Sequence, residues 1–204
     1  MKKICIIGTG GYAKEIFWLI HDIGIEDQVE CFMEPDDQYE ERSIMDRPVL
    51  PQSQFDPAKH RAVIAIGNGR IREKVVQQLP EETEYPNIIS PKAQVTRWAK
   101  LGRGCVIQSH TVVTVDVVLG DFVHLNCFTT VGHDTTLGDY STTTAFVSIS
   151  GLCTVGKHSY WGNGSSVRQG LSVTDHVTVG MGAMVVKPIE EPGIYTGIPA
   201  KKFK

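Results

Sequence analysis

The chain is short of several things, and each shortage removes a class of protein. Five cysteines in 204 residues form no Cys-x-x-Cys pair. Cys5, Cys31, Cys105, Cys127 and Cys153 are scattered and odd in number, which argues against a disulfide framework and suits reduced thiols in a cytoplasmic protein. No apolar run approaches the length of a membrane-spanning helix. Met1-Lys2-Lys3 leads into only a short apolar run before Gly8, so no secretory leader is expected. Neither sign of charge dominates: 20 basic against 23 acidic residues leave a formal charge of -3, which argues against a dedicated nucleic-acid or membrane-surface binder.

What is present is a repeat. Residues 89–190 divide into seventeen units of six. The first position is apolar from Ile89, Val95 and Leu101 through Val185, with Thr143 the one exception. The fifth position admits only small or aliphatic residues, such as Ala93, Cys105, Thr129, Ser141, Cys153 and Ala183. The second is often glycine: Gly102, Gly120, Gly132, Gly138, Gly156, Gly162 and Gly180. A helix repeats at 3.6 residues and a half-buried strand at 2. A period of six suits a short strand followed by a corner, three units closing one coil of about eighteen residues, which is the signature of a parallel β-helix. Coils then stack at the ordinary strand spacing of roughly 4.8 Å.

Residues 1–86 are of another kind. Residues 3–7 read as a buried strand, followed by Gly8-Thr9-Gly10-Gly11-Tyr12-Ala13 and a helical pattern through His21. A second strand runs from Val29 to Met33 and ends in Glu34, Asp36 and Asp37. A third, Ala62–Ile66, enters Gly67-Asn68-Gly69 and a second helix. This β-α-β-β-α order predicts a small Rossmann-like α/β domain. Gly8, Gly10 and Ala13 fit the G-x-G-x-x-G/A pattern, whose bare backbone and helix N-terminus receive a phosphate. The acids after the second strand are candidates for ribose hydroxyls. On this motif alone NAD competes. The segment holds only about half of a dinucleotide fold, however, and one half suits one nucleotide, such as a nucleoside-diphosphate sugar. The nucleotide-sugar candidates are Gly8, Gly10, Gly11, Tyr12, Glu34, Asp36, Gly67 and Asn68. Residues 80–88 read as a linker, 87–190 as the β-helix domain and 191–204 as a C-terminal tail.

The repeat resembles the left-handed β-helix of hexapeptide acyltransferases. With the domain before it, the chain is similar to the bacterial sugar acetyltransferases of the NeuD and PglD type. The marks are Gly8-Thr9-Gly10-Gly11, Ala65-Ile66-Gly67-Asn68, Val131-Gly132-His133-Asp134 and Gly197-Ile198-Pro199-Ala200-Lys201. The resemblance implies the left hand, a homotrimer, acetyl-CoA lying along the β-helix between subunits, and a nucleotide-linked amino sugar as acceptor. It implies that the histidine of a His-Glu pair is the base, the carboxylate orienting the ring; here the pair is His133 with Asp134, whose side chain is one methylene shorter than Glu. Where relatives carry a second histidine nine residues later, this chain has Thr142; His124, one coil earlier in the same column, is expected to supply the missing acetyl-CoA contact with it. Asn126 matches a polar family position, expected to place the acceptor or the base.

Phase supports the same residues. His133 is third in its unit, at a corner beside Gly132, which is expected to leave room for a ligand, and Gly151 lies eighteen residues on in the same column, so its N–H is expected near the imidazole. Acyl transfer needs a base for the acceptor amine and a donor for the developing oxyanion. Gly151, Gly162, Gly164, Gly180 and Gly182 would leave a groove for the pantetheine arm, with Lys187 and Lys201 near the CoA phosphates. His158 and His176 fall in one corner column with Phe122 and Tyr140 and are expected to stack, not to hold metal, since a catalytic zinc needs three protein ligands. The expected activity is acetyl-CoA-dependent N-acetylation of a nucleotide-linked amino-deoxysugar, of the 4-amino-4,6-dideoxy type. O-acetylation of sialic acid or a related sugar, and a non-catalytic sugar-nucleotide-binding protein, are the alternatives. No metal is expected.

Overall fold

The computed structural model describes residues 2–203, which fall into two compact units: one contains residues up to Gly67 with Ile71–Ile88, the other Asn68–Arg70 with everything from Ile89 on.

The first unit is built on a five-stranded sheet in the order β3-β4-β2-β1-β5, formed by β1 (Lys3–Ile7), β2 (Val29–Glu34), β3 (Ser43–Ile44), β4 (Arg47–Pro51) and β5 (His60–Ile64). The neighbours of β1, and β4 beside β2, run parallel; β3 turns back antiparallel on β4. Helix α1 (Gly11–Ile23) buries Ala13, Ile16, Phe17, Leu19 and Ile20, a stripe at helical spacing, and ends on Gly24 in the left-handed region. Helix α2 covers Gly69–Gln78. The sequence pattern shows three of these strands. It hides β3 and β4 because Pro48 and Pro51 break the run Arg47–Pro51, and prolines argue against a strand unless it lies near an edge, as β4 does.

From Ile88 to Val185 the chain makes two-residue strands, each formed by the sixth position of one unit and the first of the next, as in Thr130–Val131 and Thr136–Leu137; Val177–Val179 is longer by one residue. Each pairs in parallel with the strand eighteen residues away, giving the three sheets of a parallel β-helix. First and fifth positions fill the interior, Cys105 and Cys153 among them. Thr143, the exception in the repeat, is explained by its neighbour. It pairs in register with Trp161, and the indole fills the space that two ordinary side chains would share. Its hydroxyl meets that of Thr129 at 2.9 Å, so no polar group is stranded. The tail does not leave the β-helix: Gly193–Thr196 pairs with Val177–Val179, and Lys201–Lys202 folds back on it.

From Gly104 to Gly182 every corner places its fourth-position residue in the left-handed region, including Phe122, Phe128, Tyr140, Phe146, Leu152, His158 and His176. That costs about 1–2 kcal/mol per residue for a side chain with a Cβ. Stacking offsets much of it, because aromatic pairs contribute about 0.5–1.5 kcal/mol beyond burial. Phe122, Tyr140, His158 and His176 form one ladder with centroids 4.8–5.4 Å apart, the column expected from spacing. His110, Phe128 and Phe146 form another.

The second-position glycines also have a physical reason. A Cβ on Gly102, Gly120 or Gly156 would land on Oδ1 of Asp121, Asp139 or Asp175 from the next coil. Those carboxylates accept the third-position N–H of Arg103, Asp121 and Lys157 at 2.8–3.0 Å, stitching coil to coil. Asp139→Ala is therefore expected to leave the Asp121 N–H without its acceptor and to lower stability by about 1–2 kcal/mol in a denaturant titration. An unchanged midpoint would show that this stitch is idle.

Candidate functional site

The corner carrying His133 departs from that stitching. The residue one coil above His133 is Gly151, with no carboxylate to offer. The bare Gly132 is needed because a Cβ there would fall 2.4 Å from the Gly151 nitrogen, so the glycine permits close coil contact and is not spare room for a ligand. Gly151 is bare for a different reason: the His133 imidazole lies over it. A Cβ on Gly151 would stand 2.7 Å from Nε2 and 2.9 Å from Cδ2 and Cε1. The Gly151 N–H has no hydrogen-bond acceptor among the described residues, while its carbonyl accepts from Gly170.

Asp134 takes the left-handed corner position after His133, and its Oδ2 lies 2.8 Å from Nδ1 of the ring. A carboxylate only accepts, so this contact puts the ring proton on Nδ1 and leaves the lone pair on Nε2, the nitrogen above Gly151. The side chain of His133 is 49 % exposed, so that lone pair is open to a reactant. The shorter side chain of Asp is no obstacle to the contact. A base, the carboxylate that orients it, and a free N–H one coil away are the parts an acyl transfer requires.

Other expected residues lie elsewhere. His124 is fully enclosed and Thr142 is 5 % exposed; they pair in register on one sheet and offer no surface to acetyl-CoA. Asn126 is at the corner of Cys127 and Phe128, not that of His133. Its Oδ1 accepts the Cys127 N–H at 3.2 Å, a local turn contact. Gly180 is covered, since a Cβ there would meet Thr196 of the tail at 2.8 Å. Lys187 and Lys201 are exposed.

In the first unit, a cleft of about 370 Å³ lies at the C-terminal ends of the parallel strands, lined by Gly8, Thr9, Gly10 and Glu34 among others. Gly8 has φ of +126°, and a Cβ there would lie 2.9 Å from the Ala65 carbonyl, so only glycine fits. Gly10 caps α1 with no side-chain hydrogen bond, and Gly11 and Tyr12 open its first turn. Gly67 and Asn68 do not line this cleft; Asn68 falls in the second unit.

The acids behave differently from expectation. Glu34 is 5 % exposed, and its two oxygens accept four hydrogen bonds: a two-pronged grip from Arg42 at 2.5 and 2.6 Å, the Glu40 N–H at 3.1 Å and the Thr9 hydroxyl at 3.0 Å. The Arg42 grip is the main cause that holds its carboxyl down to about 2; burial opposes it, and the Glu40 and Thr9 bonds assist. With all four acceptor positions taken, Glu34 has none left for a ribose. Asp36 accepts the N–H of Ser53 at 3.0 Å; this contact is the main cause that lowers its pKa, with the Ser53 side chain and the Gln52 backbone assisting, and it ties the turn after β2 to the turn after β4.

A depressed carboxylate stabilises the fold above its unfolded pKa, 4.5, and loses that contribution as pH falls through about 2. The shift corresponds to about 3 kcal/mol at most, reduced by screening because Arg42 is partly exposed. Glu34→Gln is expected to lower stability at neutral pH and to flatten its decline between pH 4.5 and 2. Parallel pH curves for the variant and the parent would remove Glu34 from this role.

Known proteins share this fold. Residues 3–79 match the family described as PglD N-terminal domain. The acetyltransferase domain of PglB from Neisseria gonorrhoeae is 29 % identical, with 100 % of each chain covered and a TM-score of 0.90. It has also been solved with acetyl coenzyme A. The chain is thus similar over its whole length to PglD-like sugar acetyltransferases. Within that group, PerB from Caulobacter crescentus, solved with CoA and GDP-perosamine, is 25 % identical over 100 % of this chain and 98 % of its own, with a TM-score of 0.91. WeeI from Acinetobacter baumannii is 26 % identical over 100 % of both chains, at 0.91. Among the described residues no group of three or more His, Cys, Asp or Glu is placed to hold a metal, and no helix is long and apolar enough to cross a membrane.

Proposed function

We propose that this chain transfers the acetyl group of acetyl-CoA to the amino group of a nucleotide-linked amino-deoxysugar, of the 4-amino-4,6-dideoxy type. The observation that carries this reading is the His133 imidazole, held by Asp134 through Nδ1 and lying over Gly151 with Nε2 free. The acceptor amine attacks the thioester carbonyl and a C–N bond forms. Nε2 of His133 takes the amine proton, and the negative charge on the carbonyl oxygen meets the Gly151 N–H. The C–S bond then breaks, and the imidazolium returns its proton to the departing thiolate. No cysteine is needed as a carrier, and Cys127 lies at another corner.

The N-terminal cleft holds the acceptor's nucleotide, the diphosphate against Gly8–Gly11 and the α1 N-terminus. The complex of PerB with CoA and GDP-perosamine supports an acceptor of this class. A homotrimer completes the reading. Phe128 and Phe146, 47 % and 63 % exposed in one ladder, present an apolar ridge suited to a second copy.

The test is CoA thiol release from acetyl-CoA with UDP-, dTDP- and GDP-linked 4-amino sugars. Turnover with one nucleotide class supports the reading. Turnover on free sialic acid alone would replace it with O-acetylation, and inertness to all acceptors would make the chain a binding protein.

A further inference from the structure

We propose that Gln38 and Gln52, and not the acids at the end of β2, read the nucleobase of the acceptor. This rests on the reading that the first unit holds the acceptor's nucleotide.

Both glutamines line the cleft that contains Gly8, Thr9 and Gly10. Gln38 closes the short turn Asp36–Gln38 after β2, and Gln52 opens the turn Gln52–Gln54 after β4. Neither side-chain amide has a hydrogen-bond partner among the described residues. The acids nearby are occupied. Glu34 is filled by Arg42, Glu40 and Thr9, and Asp36 by the backbone of Ser53 and Gln52. Their work is to hold the two turns. Glu34 fixes the start of the segment that carries Gln38 and ties it to Thr9 in the glycine loop, and Asp36 fixes the turn that carries Gln52.

Strand order gives the direction. In the order β4-β2-β1, the C-terminal end of β1 carries the glycine loop, β2 lies one strand over and β4 two. In sheets of this kind phosphates sit at the first βα turn and the sugar beside the end of the next strand. The base then continues towards the β4 end, roughly 10 Å from β1 at two strand spacings. The same cleft is lined by the apolar Ile66, Ile71 and Val75, which suit the flat face of a ring. A primary amide offers one donor and one acceptor side by side, the complement of a base edge that carries an acceptor beside a donor. A carboxylate, which only accepts, could meet the ring N–H of uracil, thymine or guanine but not the carbonyl beside it, whereas an amide meets both.

The experiment is calorimetric titration of the full-length chain with UDP, dTDP, GDP and ADP, for the parent and for Gln38→Leu, Gln52→Leu and Glu34→Gln. Leucine keeps the volume and removes the amide. The parent is expected to prefer one base. Each leucine variant should weaken that nucleotide about tenfold or more, level the affinities towards the other three, and leave the KM for acetyl-CoA and the melting temperature unchanged. Glu34→Gln should lower the melting temperature and weaken all four nucleotides together, with the base preference kept. Base preference that survives in both leucine variants to within twofold overturns the proposal, as does preference lost only in Glu34→Gln. A parent that binds none of the four overturns the nucleotide reading of the first unit itself, and this inference with it.

Discussion

Replacing His133 with alanine is expected to lower kcat by about two to four orders of magnitude, the usual contribution of a positioned general base. The KM for acetyl-CoA and the affinity for the nucleotide should stay within about twofold, because the ring is half exposed at a corner of the coil and is not part of its interior. The fold should survive: the side chain is half exposed at a corner, and its removal opens no cavity. Asp134→Asn sharpens the test. The Asn oxygen can still accept from Nδ1, so the ring stays in place while the charge that stabilises the imidazolium is gone. A loss of about tenfold, confined to kcat, is expected from the helping role of a carboxylate behind a histidine. Turnover of His133→Ala within threefold of the parent would mean that the corner histidine is a surface residue and that the proton leaves by another route.

The architecture was legible because a period of six, held for a hundred residues, has one structural meaning, and phase within it assigns inside and outside. The ladder of Phe122, Tyr140, His158 and His176 follows from the same arithmetic, since eighteen residues return the chain to the same corner. What phase does not show is which outward positions stay open. His124 and Thr142 both stand at the sixth position, which points away from the interior on every sheet, yet both are enclosed. Asn126 was expected from a polar family position; it stands at the corner before that of His133, where its side chain accepts the Cys127 N–H. At β2 the composition was read correctly and the partners were not visible. Glu34 has the charge a ribose site needs, but Arg42, eight residues later, claims it with two hydrogen bonds. A signal for that pairing was present in the sequence as the single basic residue among the acids of 34–46.

The second large effect is expected from one methyl group. In Gly151→Ala the new Cβ would sit 2.7 Å from Nε2 of His133 and 2.9 Å from two of its carbons, closer than such atoms approach. The backbone of Gly151 is not in the left-handed region, so alanine itself is not strained there, and the stress falls on the ring. The imidazole must swing off the coil, which moves Nε2 from its station and stretches the 2.8 Å contact to Asp134. Misplacing a reacting group by about 1 Å costs on the order of 10²-fold, and a loss of that size in kcat is expected. Alanine keeps the N–H proposed to receive the oxyanion, so the loss would report the position of the proposed base alone. Gly132→Ala serves as the contrast. Its Cβ would strike the backbone of the next coil, so its damage should appear as a lower melting temperature, with activity following stability. If Gly151→Ala kept both its melting temperature and its turnover, the ring would not need the place where the structure puts it. Full stability with turnover down about a hundredfold would make the bare Cα beneath His133 part of the catalytic geometry, set by the same eighteen-residue spacing that builds the coil.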